Sequence, residues 1–202
     1  MRPLRRSKGL PALALVASLS ACLIRPQPDL PTLPRVQLRT DAGDIVIEVD
    51  TLRAGVSARN FLRYVDGGFY SGGQFQRRVA QSNEPNVTVP IEIIQASIDS
   101  SRMSQGFGTI PLETTNQTGI HHGAGCVSFA REASSAATSD FFICVSDQPE
   151  LDYGGKGNAD GQGYAAFGRV VQGMEVVRKI HRSPTQGQRL TPTIRIVEAK
   201  RL

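Results

Sequence analysis

The sequence predicts a mainly β fold, a closed antiparallel barrel capped by helices. Three observations carry this. Short apolar or alternating runs recur along the chain between clusters of turn-forming residues. Only two stretches show helical periodicity, and strands do not alternate with helices as in a parallel sheet. Glycine is frequent (20), proline is spread throughout (12) and tryptophan is absent, which favours turn-rich β structure over a helical bundle.

The 202 residues suit one domain plus a targeting segment. Met1 to Lys8 is positively charged, and residues 9–21 form an apolar run too short to span a bilayer, which takes about 20 residues. The run ends in Leu19-Ser20-Ala21-Cys22, which resembles the lipobox of bacterial lipoproteins. That resemblance implies cleavage before Cys22 and acylation of its thiol. Leu23, rather than aspartate, follows the cysteine and points to the outer membrane. Residues 22–34 carry Pro26, Pro28, Pro31 and Pro34, the composition of an extended tether. The expected organisation is therefore a signal segment (1–21), a lipidated tether (22–34) and a folded domain (35–202).

Residues 35–50 read as a hairpin: Val36 and Leu38, then Ile45, Ile47 and Val49, alternate with polar residues around the turn Asp41-Ala42-Gly43-Asp44. Ser57 is placed to cap a helix carrying Phe61, Leu62 and Val65, which Gly67-Gly68 ends. The organising stretch follows, from Gln74 to Asp99: a strand-like run to Val79, a polar loop, then the β-branched run Ile91 to Ile94 leading to Gln95. Side by side, these runs aim Arg77 and Gln95 into one apolar groove, with the adjacent Arg78 facing the other way. Further strands are expected at 126–130, 141–145, 164–171 and 193–199. A second helix is expected from Gly173 to Ile180, and residues 152–163 form a loop with five glycines but no phosphate-loop pattern.

The net charge of +5 does not mark a nucleic-acid partner. Four of the 23 basic residues, Arg2, Arg5, Arg6 and Lys8, lie in the leader, which leaves 19 against 18 acidic. His121-His122 has no further ligand at metal-binding spacing and reads as loop.

Six segments, in order, resemble the cyclophilin family of peptidyl-prolyl isomerases: NFLRYVDGGFY (60–70), FQRRV (75–79), IEIIQAS (91–97), GCVSFAR (125–131), SDFFICVSDQPELD (139–152) and YAAFGRVVQGMEVVRKI (164–180). The long loop before IEIIQAS resembles the family's bacterial periplasmic branch. The resemblance implies an eight-stranded closed barrel with two helices, a monomer without cofactor or metal, and proline-containing polypeptides as partners. It places the catalytic arginine at Arg77 and the groove glutamine at Gln95. Phe142 becomes the floor of the proline pocket, with Leu151 and Ile93 on its walls and Tyr164 at its rim. Phe129-Ala130-Arg131 becomes the strand whose backbone pairs with substrate. The departures are Gln76, Glu92 for a pocket phenylalanine, Ala96-Ser97 for a glycine pair, Asp140 for glutamine and Glu150 for tryptophan. The family pairs the strands carrying Cys126 and Cys144. Two states follow, a disulfide or two buried thiols, of which the thiols are preferred.

The chemistry needs no nucleophile or metal. A prolyl imide resists rotation by conjugation, with a barrier of about 18–20 kcal/mol. Twisting frees the nitrogen lone pair, and a fixed donor such as a guanidinium binds that state better than the planar one. The competing reading is a groove that captures proline-containing segments without turnover, as a chaperone or scaffold module. The leading expectation is an isomerase acting on envelope proteins from the periplasmic side of a membrane.

Overall fold

The computed structural model describes residues 32–83, 89–131 and 137–202. Cys22, the signal segment and most of the tether lie outside them. The elements are β1 (Arg35–Thr40), β2 (Gly43–Val49), α1 (Gly55–Asp66), β3 (Gln74–Val79), β4 (Ile93–Ser97), α2 (Thr115–Thr118), β5 (Cys126–Phe129), β6 (Phe141–Cys144), β7 (Ala165–Gln172), α3 (Met174–His181), β8 (Thr185–Gln186) and β9 (Arg189–Arg201). The strands run β1-β2-β7-β5-β6-β4-β3-β9, and β9 pairs back to β1. Eight antiparallel strands thus close into a barrel, and β8 is a two-residue arm folded onto β9. Closure leaves no unpaired edge along the ring.

Alternation decides what faces inward. Val36, Leu38, Ile45, Ile47 and Val49 are fully buried, each two residues from the next on its strand. An aromatic cluster fills one end: Phe61 of α1 lies 5.5 Å from Phe141 and 4.9 Å from Phe167, ring centre to ring centre. Tyr70 packs edge-on against Phe141 and donates its hydroxyl to Ser139 O at 2.6 Å, so its polar tip is satisfied inside the core. Burial pushes the Tyr70 phenol well above its usual range.

The first helix starts earlier than its sequence suggests. Ser57 lies inside α1, fully buried, and its hydroxyl has no partner among the described residues. The N-terminal amides of Val56 and Ser57 instead donate to the two carboxylate oxygens of Glu113, at 3.0 and 2.6 Å. A carboxylate there satisfies orphan donors and meets the positive end of the helix dipole. A third helix, the short α2, joins the two expected ones. It rests on a capping box in which Thr114 and Gln117 exchange side-chain bonds with each other's backbone. In α3, Val176, Val177 and Ile180 are buried, and Arg178, Lys179 and His181 occupy the last turn, where the dipole favours cations. Its N-cap, Gly173, has φ 91°, and a side chain there would put a carbon 2.3 Å from Asp44 O.

Candidate active site

Strand register builds the site. Arg77 on β3 stands opposite Gln95 on β4, and Gln95 stands opposite Phe142 on β6. A bulge at Gln76 makes this row possible. Phe75 pairs with Ala96 and Arg77 with Gln95, two steps on β3 against one on β4. Strict alternation would turn Phe75 and Arg77 to the same face. With the bulge, Phe75 is 0 % exposed against Phe141 in the core, while Arg77 lines the outer groove. Arg78 turns away to the end of α3, where Nη1 donates to His181 O at 2.6 Å.

The groove encloses about 580 Å³. Ile93, Phe142, Leu151 and Tyr164 form its apolar part, with Phe142 and Tyr164 perpendicular at 5.3 Å. Phe141, next to Phe142, points into the core. Ile91 also lines the groove. Glu92 does not; its carboxylate accepts from the Ser146 hydroxyl at 2.8 Å. The apolar lining that Glu92 cannot give is thus supplied by its neighbour, because β4 begins at Ile93 and the two residues before it are not bound to strand alternation.

Arg77 is held at two points. Nη1 donates to Gln95 Oε1 at 2.8 Å, and Nε donates to Gln188 Oε1 at 2.5 Å. Its Nη2 has no partner among the described residues, so the fork is fixed while donors remain open toward the groove. Gln188 was not foreseen. It lies on the β8–β9 turn, 111 residues along the chain, and no local motif announces it.

The segment expected to pair with substrate through its backbone presents different side chains to the groove and the core. Ala130 and Arg131 line the groove. The Phe129 side chain does not; it is fully buried, 4.6 Å from Phe167, because alternation on β5 turns it inward. The Arg131 guanidinium is committed elsewhere. With its side chain 1 % exposed, it grips both Asp160 oxygens at 2.8 Å and donates through Nε to Gly163 O at 2.7 Å. This fork ties the end of β5 to the glycine-rich loop that carries the wall residue Gly157 and leads into Tyr164. The Arg131 bond holds the Asp160 carboxyl down to about 2.

Beneath the floor lies a network of Ser128, His122 and Asp152. His122 Nδ1 is 2.7 Å from Asp152 Oδ1, and Nε2 is 3.0 Å from Ser128 Oγ. A carboxylate only accepts, so Nδ1 carries a proton, and Nε2 shares the second bond with the serine hydroxyl. Burial alone would raise the Asp152 carboxyl, but bonds from His122 and His121 outweigh it and hold it below the usual range. The order is serine, histidine, aspartate, yet Ser128 is 0 % exposed and the imidazole stacks on Phe142 at 5.9 Å. A nucleophile must reach its substrate. This trio instead holds the pocket floor from behind. Cys126 and Cys144, on adjacent strands, are buried free thiols, and burial raises the Cys144 thiol further.

Asp140 completes the groove. Burial raises its carboxyl, partly offset by bonds from Gln95 and Ser139. Gln95 bridges, accepting from Arg77 through Oε1 and reaching Asp140 Oδ2 through Nε2 at 3.4 Å.

A fixed cationic fork stands over an apolar, aromatic-floored slot on a closed barrel. Comparison with known proteins gives the family. Residues 35–201 match the model of the cyclophilin type peptidyl-prolyl cis-trans isomerases. The chain is 36 % identical over 174 residues to peptidyl-prolyl cis-trans isomerase A of Dickeya dadantii, covering 86 % of this chain and 84 % of the relative. It is 33 % identical over 151 residues to a peptidyl-prolyl cis-trans isomerase of Acinetobacter baylyi, covering 74 % and 73 %. A cyclophilin type isomerase of Cryptosporidium parvum shares the fold, with a TM-score of 0.67 at 19 % identity over 84 % of this chain and 98 % of that one. This chain belongs to the cyclophilin-type peptidyl-prolyl cis–trans isomerases, enzymes that rotate the peptide bond preceding proline.

Proposed function

We propose that Arg77 carries the rotation by donating to the prolyl nitrogen as it becomes pyramidal, while Phe142, Ile93 and Leu151 hold the ring. The observation that carries this is the row Arg77–Gln95–Phe142, which sets a restrained guanidinium beside an apolar floor. The planar imide offers that donor little, so the contact favours the twisted state. About 4 kcal/mol of such preference gives a thousandfold acceleration. Gln95 keeps the fork oriented, and the backbone beside Ala130 receives the substrate chain.

The substrates in this reading are proline-containing segments of folding envelope proteins. The lipobox-like Leu19–Cys22 supports anchoring through Cys22 on the periplasmic side, with the outer membrane favoured. Replacing Cys22 with Ala should move the protein from the membrane fraction to the soluble one. Asp140 in place of glutamine supports the second reading, capture without turnover. Exchange NMR on a prolyl peptide separates the two. Line broadening from accelerated cis–trans exchange supports the isomerase. Shifted resonances with the uncatalysed exchange rate support capture alone.

A further inference from the structure

Asp140 is the only carboxylate among the described residues that line the groove. It stands just before β6, where the ladder still holds through Ala130 N to Asp140 O at 2.8 Å. It therefore shares a face with Phe142, two residues on, about 7 Å away at strand spacing. Its contacts are weak for an anion. The Gln95 and Gln76 amides each reach the same oxygen, Oδ2, at 3.4 Å, and Ser139 adds a further neutral bond. None of the ion pairs among the described residues includes it. The two guanidiniums of the groove have other partners: Arg131 is closed on Asp160, and Arg77 on Gln95 and Gln188. Thr109 and Thr138 also line the groove, so polar side chains accompany the carboxylate.

A part-buried carboxylate without a cation is an incomplete site. Charge-assisted bonds are about twice as strong as neutral ones, and screening weakens away from bulk water. We propose that Asp140 makes the groove select prolyl peptides carrying lysine or arginine one or two residues before the proline or one after it, and reject aspartate or glutamate there. This rests on the prolyl-peptide reading of the groove and narrows it to a substrate class. The spacing from Phe142 suits a long cationic side chain extending from a neighbour of the seated ring. An acidic side chain in that place would meet the Asp140 carboxylate, while the Arg77 fork is held toward the seated ring by Gln95 and Gln188.

The test uses the full-length protein and three peptide sets, varied one before, two before or one after a single proline. Each set carries lysine, alanine or glutamate at the varied position. Dissociation constants come from NMR titration, and exchange rates from the same samples. At one of the three positions lysine should bind about tenfold more tightly than glutamate. In Asp140→Asn that ratio should fall to within twofold, and in Asp140→Glu it should largely return. Equal affinities for lysine and glutamate at every position in the native protein would overturn the proposal, as would a preference that persists in Asp140→Asn. Binding without accelerated exchange would refute the isomerase reading alone, and the affinity ratios would still decide the role of Asp140. Failure to bind any of the peptides would overturn both.

Discussion

Replacing His122 with phenylalanine tests whether the network beneath the floor is structural. The new ring keeps an aromatic face toward Phe142 but removes both nitrogens. Ser128 Oγ, fully buried, then loses its partner, and an unsatisfied buried hydroxyl costs roughly 1–3 kcal/mol. Asp152 loses the 2.7 Å contact but keeps the His121 ring and the amide of residue 122, so its share is smaller. Together the loss should be about 2–4 kcal/mol, within the range of a broken buried network. Urea unfolding measures it. Adding Ser128→Ala should recover part of the loss, because the orphaned hydroxyl goes with it, and the double-mutant cycle should show coupling near 1 kcal/mol. A His122→Phe protein within about 0.5 kcal/mol of native would refute the reasoning and return His122 to the status of an ordinary loop residue.

Other outcomes follow from the same geometry. Glu113→Ala should destabilise α1 by about 1–2 kcal/mol in urea unfolding, since the N-terminal amides of the helix lose their carboxylate. Gly163→Ala should destabilise the pocket wall by about 2 kcal/mol or more and raise KM, because φ is 65° and the added carbon would lie 2.5 Å from Leu151 O. Asp160 has a folded pKa of about 2, below the usual unfolded value near 3.9, so its contribution is complete above that value and disappears as pH falls through 2. Asp160→Asn should therefore flatten the decline of the urea midpoint between pH 4 and pH 2.

Much of the fold was legible because alternation and turn residues are local signals. Ile45, Ile47 and Val49 announce an inward face, and Gly67-Gly68 a helix stop, without knowledge of any partner. The groove residues Arg77, Gln95 and Phe142 were legible through family-like strings, and the register sets them in one row. What escaped depends on distant chain. The Gln76 bulge arises from how β3 fits both β4 and β9, so it has no signature in FQRRV. Gln188 and Glu113 reach their partners across 111 and 57 residues. His121-His122 read as loop. His121 is exposed, whereas His122 is buried among Ser128, Phe142, Asp152 and Tyr164, which come from four later parts of the chain.

The most direct measurement is kcat/KM for a proline peptide in a protease-coupled assay, comparing native protein with Arg77→Ala and Arg77→Lys, alongside peptide affinity. A donor that acts only on the twisted imide predicts a loss of about 100- to 1,000-fold for Arg77→Ala, with affinity changed only a few-fold. Arg77→Lys should recover little of the rate, because an ammonium cannot hold both Gln95 and Gln188 and still present a fixed donor. Turnover by Arg77→Ala within twofold of native would contradict the account.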